Sequence, residues 1–170
     1  MDAPPLVVNI AGIRTGRTDP NWKDRFGYFL EGELENVALL NRHYYAGAFA
    51  PKTHWIKNPR AAAELFTRVK LYREEFPEGK IYIVAHSNGT NVAVLLARRL
   101  RDAGIDVEVM ILIGSAVHSD VVKSHVHGLL VSGHLGVAIA YCSPDDPVIH
   151  PLLQRIPGFW GSLGSTGWTR

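Results

Sequence analysis

Lys80-Ile81-Tyr82-Ile83-Val84-Ala85-His86-Ser87-Asn88-Gly89-Thr90-Asn91 reads as a strand, a sharp turn and the start of a helix. Ile81 to Val84 is a short apolar, β-branched run suited to a strand buried on both faces, and Val92, Leu95, Leu96 and Leu100 then recur at helical spacing. Ser87 falls at the turn itself. A serine there projects its hydroxyl above the carboxyl edge of a parallel sheet, and the following helix aims its unpaired N–H groups and positive dipole end at the same place. Ala85 two residues before and Gly89 two residues after are small enough for the backbone to turn tightly.

Ala85-His86-Ser87-Asn88-Gly89 resembles the nucleophile elbow of the α/β-hydrolase family, in the Ala-x-Ser-x-Gly form of some small bacterial lipases. A pentapeptide with loose positions is weak by itself; the strand before it and the helix after it give it weight. The competing reading is a capped helix in which Ser87 and Asn88 only satisfy backbone donors.

Working outward, Leu6 to Ile10 is a buried strand that runs into Ala11-Gly12-Ile13, a glycine turn. The resemblance implies an oxyanion hole there: the family's corresponding turn is of His-Gly-x type, and Ala11-Gly12-Ile13 is similar with alanine in place of histidine. The Ile13 and Asn88 N–H groups would be its two donors. Asp19-Pro20 opens a helix through Leu34, Val37 to Tyr45 forms the next strand, and Asn58-Pro59 caps an amphipathic helix carrying Leu65, Val69, Tyr72 and Phe76. Val107 to Ile113 is a further buried strand, and Ser119 to Leu130 a helix with Val122, Val126, Leu129 and Leu130 on one face. Leu135 to Cys142 is the last strand. Alternating strands and helices predict an α/β fold, a mostly parallel sheet covered by helices on both faces. By resemblance it is a shortened α/β-hydrolase fold, starting at the family's third strand and too short between Gly114 and Gly136 for a lid.

The 170 residues suit one domain spanning 1–170. Lys and Arg number 18 against 16 Asp and Glu, interspersed without a basic block, so nothing points to nucleic acid. There is no run of ~20 apolar residues for a membrane span and no signal-peptide pattern at the start. Cys142 is alone in an apolar run, where a thiol behaves as a small buried hydrophobe; with no internal disulfide available, the expectation is a cytoplasmic protein. His125 and His127 invite a metal reading, but a two-residue step puts them on different sides of a helix with no carboxylate or cysteine at ligand spacing, so no metal site is expected.

The family places its acid on the loop after the penultimate strand, often as Asp followed by aliphatics. Asp146-Pro147-Val148-Ile149 fits that form, which favours Asp146 over Asp145, the latter suited to capping a short helix from Pro151 to Ile156. The family's histidine belongs after one further strand. Only His150 follows Asp146, four residues on, and His118 ends a neighbouring strand at the correct edge; these are the two candidate bases. His86 reads as structural. Gly161 to Trp168 resembles the glycine-flanked loop that carries the histidine in small lipases, yet position 165 is serine. The expectation is therefore that no histidine within these residues completes the triad, the chain being a fragment or catalysis having been lost. The resemblance implies a serine hydrolase cleaving an ester or related acyl bond of a small molecule through an acyl-enzyme on Ser87, without a cofactor. The alternative is a catalytically impaired hydrolase-fold protein acting as a binding or interaction module.

Overall fold

The computed structural model describes residues 3–12, 22–34, 36–42, 56–117 and 121–142. Among these the strands are β1 (Leu6–Ile10), β2 (Ala38–Arg42), β3 (Ile81–His86), β4 (Val107–Ile113) and β5 (Leu135–Tyr141), in the spatial order β2-β1-β3-β4-β5. Every pairing is parallel. Helix α1 (Trp22–Glu33) links β1 to β2, α2 (Asn58–Glu75) links β2 to β3, and α3 (Gly89–Asp102) links β3 to β4. A π-helical segment, Val122–Val126, and a short helix, His127–Val131, precede β5. No helix among the described residues is long and apolar enough to cross a membrane.

The order of the strands decides where the helices lie. From β1 the chain steps outward to β2, then returns past β1 to β3 and continues in the opposite direction. Right-handed crossovers then place α1 on one face and α2 and α3 on the other. Gly27 of α1 sits against Leu39 and Asn41, where a Cβ would come within 3.3 Å of the Leu39 side chain. On the other face Leu6, Val8, Ile10, Leu40, Ile81, Ile83, Ala85, Met110 and Leu112 pack with Leu65 and Val69 of α2 and Val92, Leu96 and Leu100 of α3. Each large aliphatic removed from water there contributes about 1.5–3 kcal/mol. The alanines Ala61, Ala62, Ala93 and Ala97, all buried, let the two helices approach the sheet and each other. Phe76 ends α2 through its N–H to the Tyr72 carbonyl at 2.8 Å, and the Tyr72 hydroxyl donates to the Pro4 carbonyl, tying α2 to the chain entering β1.

Several expectations need correction. Within the run Ser119 to Leu130 the described residues do not form one α-helix: Val122–Val126 winds as a π-helix before the short α-helix takes over, although Val126 and Leu129 do face the core. Asn58 is no cap either. The cap position is Lys57, which makes no side-chain capping bond, and the Asn58 amide is spent on Asn88. One face of the edge strand β5 is less covered among the described residues, with alternate residues Val137, Ile139 and Tyr141 exposed. Cys142 is likewise exposed and not buried, because it lies past the last paired residue of that edge strand. Strand β2 is seen over Ala38–Arg42, while 43–45 lie outside the described residues, as does the helix expected at 151–156.

Candidate functional site

The strand order reverses between β1 and β3, and in open parallel sheets such a switch point leaves a crevice at the carboxyl ends of the strands. Ser87 stands at this point, one residue past the end of β3. Its φ is +52°, the left-handed region that side-chain-bearing residues avoid at about 1–2 kcal/mol. Across the crevice is Gly12, two residues beyond β1. A Cβ built on Gly12 would lie 2.6 Å from Ser87 Cβ and 3.1 Å from Ser87 Oγ, so only glycine lets the β1 turn approach this close. Gly89 is constrained in the same way from the other side, since its Cβ would fall 2.6 Å from the Ile10 carbonyl oxygen and 2.8 Å from that of Ala11.

Three sets of bonds hold the turn in its strained shape. The Ser87 N–H donates to the Ile113 carbonyl at 2.9 Å, extending the β3–β4 ladder by one rung. The Ser87 carbonyl accepts from the Thr90 N–H at 3.0 Å and from the Thr90 hydroxyl at 2.6 Å. That hydroxyl in turn accepts from Ser115 Oγ at 3.1 Å and the Ala116 N–H at 3.2 Å, which uses its full capacity of one donor and two acceptors. Asn88, fully buried, faces Asn58 at the start of α2: its Nδ2 donates to Asn58 Oδ1 at 3.1 Å, and its Oδ1 accepts from Asn91 Nδ2 at 3.2 Å. Asn91 also donates to the Ala116 carbonyl at 3.2 Å. The Ser87 turn is thus pinned to β4, to α2 and to the loop after β4.

Neither Ser87 nor Asn88 acts as a helix cap. Asn88 has helical φ and ψ of −61° and −20° and makes no side-chain capping bond; the Thr90 and Asn91 N–H groups of the first turn bond instead to the Ser87 and Asn88 carbonyls at 3.0 and 3.1 Å. Sequence reasoning assigned no role to Thr90 or Ser115 and only a capping role to Asn58. Their signal was polarity where the pattern called for apolar residues: all three are fully buried or nearly so, and each is hydrogen-bonded.

Of the expected site residues, Ser87, Asn88 and Gly12 meet at the switch point, whereas Ile13, His118, Asp145, Asp146, His150 and the 161–168 loop lie outside the described residues. Among the described histidines, His134 pairs with Asp106 at 2.6 Å where β4 and β5 begin, the edge opposite to Ser87. His125 lies beside Arg98 at 3.4 Å, and His127 is exposed. His86 is half-buried at the end of β3, in register with Ile113. No three His, Cys, Asp or Glu side chains gather into a metal-holding group among the described residues.

No protein-family model matches the sequence, and no curated protein does. Solved structures are similar in shape. Lysin B from Mycobacteriophage D29 superposes with a TM-score of 0.54 at 15% identity, over 86% of this chain and 66% of that one. A highly thermostable carboxyl esterase from Bacillus coagulans, solved in complex with glycerol, gives a TM-score of 0.45 at 14% identity, over 78% of this chain and 44% of that one. The chain therefore spans just under two thirds of the length of lysin B. The fold is the shortened α/β-hydrolase arrangement, with its parallel sheet and helices on both faces.

Proposed function

We propose that the chain is a serine hydrolase of the α/β-hydrolase superfamily, acting on an ester or related acyl bond of a small molecule through an acyl-enzyme on Ser87. The observation that carries this reading is the left-handed Ser87, held between β3 and α3 at the strand-order switch and pressed against Gly12. A serine with a merely structural role has no reason to occupy a strained turn that two neighbouring glycines must accommodate.

In the proposed reaction Ser87 Oγ bonds to the acyl carbon while its proton passes to a general base, and the carbonyl electron pair moves onto oxygen. The N–H groups of Asn88 and Ile13 receive that oxyanion, each typically worth about 3–4 kcal/mol of barrier. Collapse expels the alcohol, which takes the proton from the base, and water then releases the acyl group by the same steps. The base is proposed to be a histidine oriented by Asp146, with Asp145 the alternative acid; the leading expectation stays that no histidine of these 170 residues completes the triad, His118 and His150 being the weaker candidates within the chain. The chemistry calls for no cofactor. The proposed setting is a single domain over 1–170 working in the cytoplasm, which rests on the sequence pattern.

Labelling with an active-site-directed fluorophosphonate tests the reading. The purified protein should be labelled at Ser87, and Ser87→Ala should lose the label while unfolding cooperatively like its parent. Label that persists in Ser87→Ala would overturn the assignment. A parent protein that takes no label would favour the second reading, a hydrolase-fold binding module.

A further inference from the structure

A second polar constellation lies along α3, beginning at Asn91 and running on from the Ser87 turn. Asn91, Leu95 and Arg98 follow one another on the same side of the helix over about 10 Å of axial rise. With Asn58, Val94, Val121 and His125 they line a cavity of about 160 Å³ between α3, the start of α2 and the π-helical segment. Its walls are aliphatic, from Val94, Leu95 and Val121, and its two ends differ. One carries the amides of Asn58 and Asn91. The other carries Arg98 and His125, with Arg98 Nη1 3.4 Å from His125 Nε2.

That end is electropositive and under-used. Arg98 Nε is buried and has no hydrogen-bond partner, an expensive state for a guanidinium donor. No carboxylate pairs with Arg98 or His125 among the described residues, and the nearby Arg101 is committed to Asp102 at 2.6 Å. Burial first, then the Arg98 and Arg101 charges, hold His125 below the ordinary imidazole range. A guanidinium at the end of a pocket of this sort makes a place for an oxyanion, and the apolar walls lead a short aliphatic chain up to it.

We infer that the α3 groove binds a small amphiphilic anion, a carboxylate or phosphate on a short aliphatic chain, with Arg98 as its anchor and His125 beside it. This site adjoins the Ser87 turn through Asn58 and Asn91 but does not include Ser87, and it stands whether or not Ser87 is catalytic.

The test is calorimetric titration of the full chain with hexanoate, hexyl phosphate and 1-hexanol. At least one of the two anions should bind, and the tighter of them identifies the anionic group. 1-Hexanol should bind about tenfold more weakly or worse, since it fills the walls without reaching the guanidinium. Arg98→Gln should weaken the anion by a similar factor. Should that variant fold poorly, the anion-against-alcohol comparison on the parent protein decides alone. Ser87→Ala should bind as the parent does, and loss of binding there would move the anion to the Ser87 crevice and overturn the assignment. Equal binding of hexanol and the anions, no binding of either anion, or an Arg98→Gln variant of unchanged affinity would each overturn it as well.

Discussion

On the face of the sheet covered by α2 and α3, Ile83, Ala85, Met110 and Leu112 are fully removed from water, whereas on the opposite face of β5, Val137, Ile139 and Tyr141 are 47%, 37% and 61% exposed. The face under α1 is also mixed in character, with Asn9 buried beside Asn41 at 2.9 Å. The difference bears on the site because its anchors are drawn from the closed side: Asn58 begins α2, Thr90 lies in the first turn of α3, and Ser115 and Ala116 follow β4. The strained turn is held by the part of the molecule with most to lose on loosening. Changes to the closed face should therefore disturb both stability and Ser87, and changes to the open face should disturb neither.

Gly89→Ala is the hardest blow available to that coupling. The new methyl group would meet two backbone carbonyl oxygens of the Ile10–Ala11 segment, and backbone cannot rotate away as a side chain can. A loss of about 3 kcal/mol or more is expected in urea unfolding, together with loss of fluorophosphonate labelling. A Gly89→Ala protein within about 1 kcal/mol of its parent would mean that α3 does not press on β1 as described.

Next in size is a matched pair. Ile83→Ala, on the closed face, should cost about 2–5 kcal/mol, and Ile139→Ala, on the open face, less than about 1 kcal/mol. Equal costs would break the comparison, for they would require the β5 face to be covered in solution.

Much of this was legible in the residues themselves. β1 and β4 have the bounds that their apolar runs predict, and β3 carries Ser87 to the turn as its context requires. The closed face was readable because aliphatic burial follows period and composition. The open face was not, since Leu135 to Tyr141 is as apolar as a strand covered on both sides, and no local pattern tells which face of an edge strand other elements cover. The same limit hid the partners of the turn. Asn58 reads as a cap from its neighbour Pro59, and its attachment to Asn88 depends on how α2 lies against α3.

Ser87→Gly sharpens the comparison from the other direction. If the closed face imposes a left-handed conformation on Ser87, removing its Cβ should relieve that strain and raise stability by about 1 kcal/mol, while abolishing labelling. A neutral or destabilising result would mean that the turn is not strained, and the functional reading would lose its main physical support.

The smallest effect concerns Tyr72, a buried ionisable group on the closed face. Its hydroxyl donates to the Pro4 carbonyl, so Tyr72→Phe should cost about 1 kcal/mol at neutral pH. Burial disfavours the phenolate and raises the pKa above the ordinary value of 10.0, with the Arg73 charge opposing it more weakly. A raised pKa means that above pH 10 the unfolded chain releases its proton before the folded one does. The stabilisation is therefore complete below about pH 10 and drains away as pH climbs through the folded-state value. The advantage of the parent over Tyr72→Phe should shrink across that range, because a phenolate has no proton to give Pro4. Urea unfolding of both proteins at pH 7, 9 and 11 reads it directly. An advantage that held constant or grew with pH would mean that the Tyr72 hydroxyl meets water, and that the closed face is open at the amino edge of the sheet.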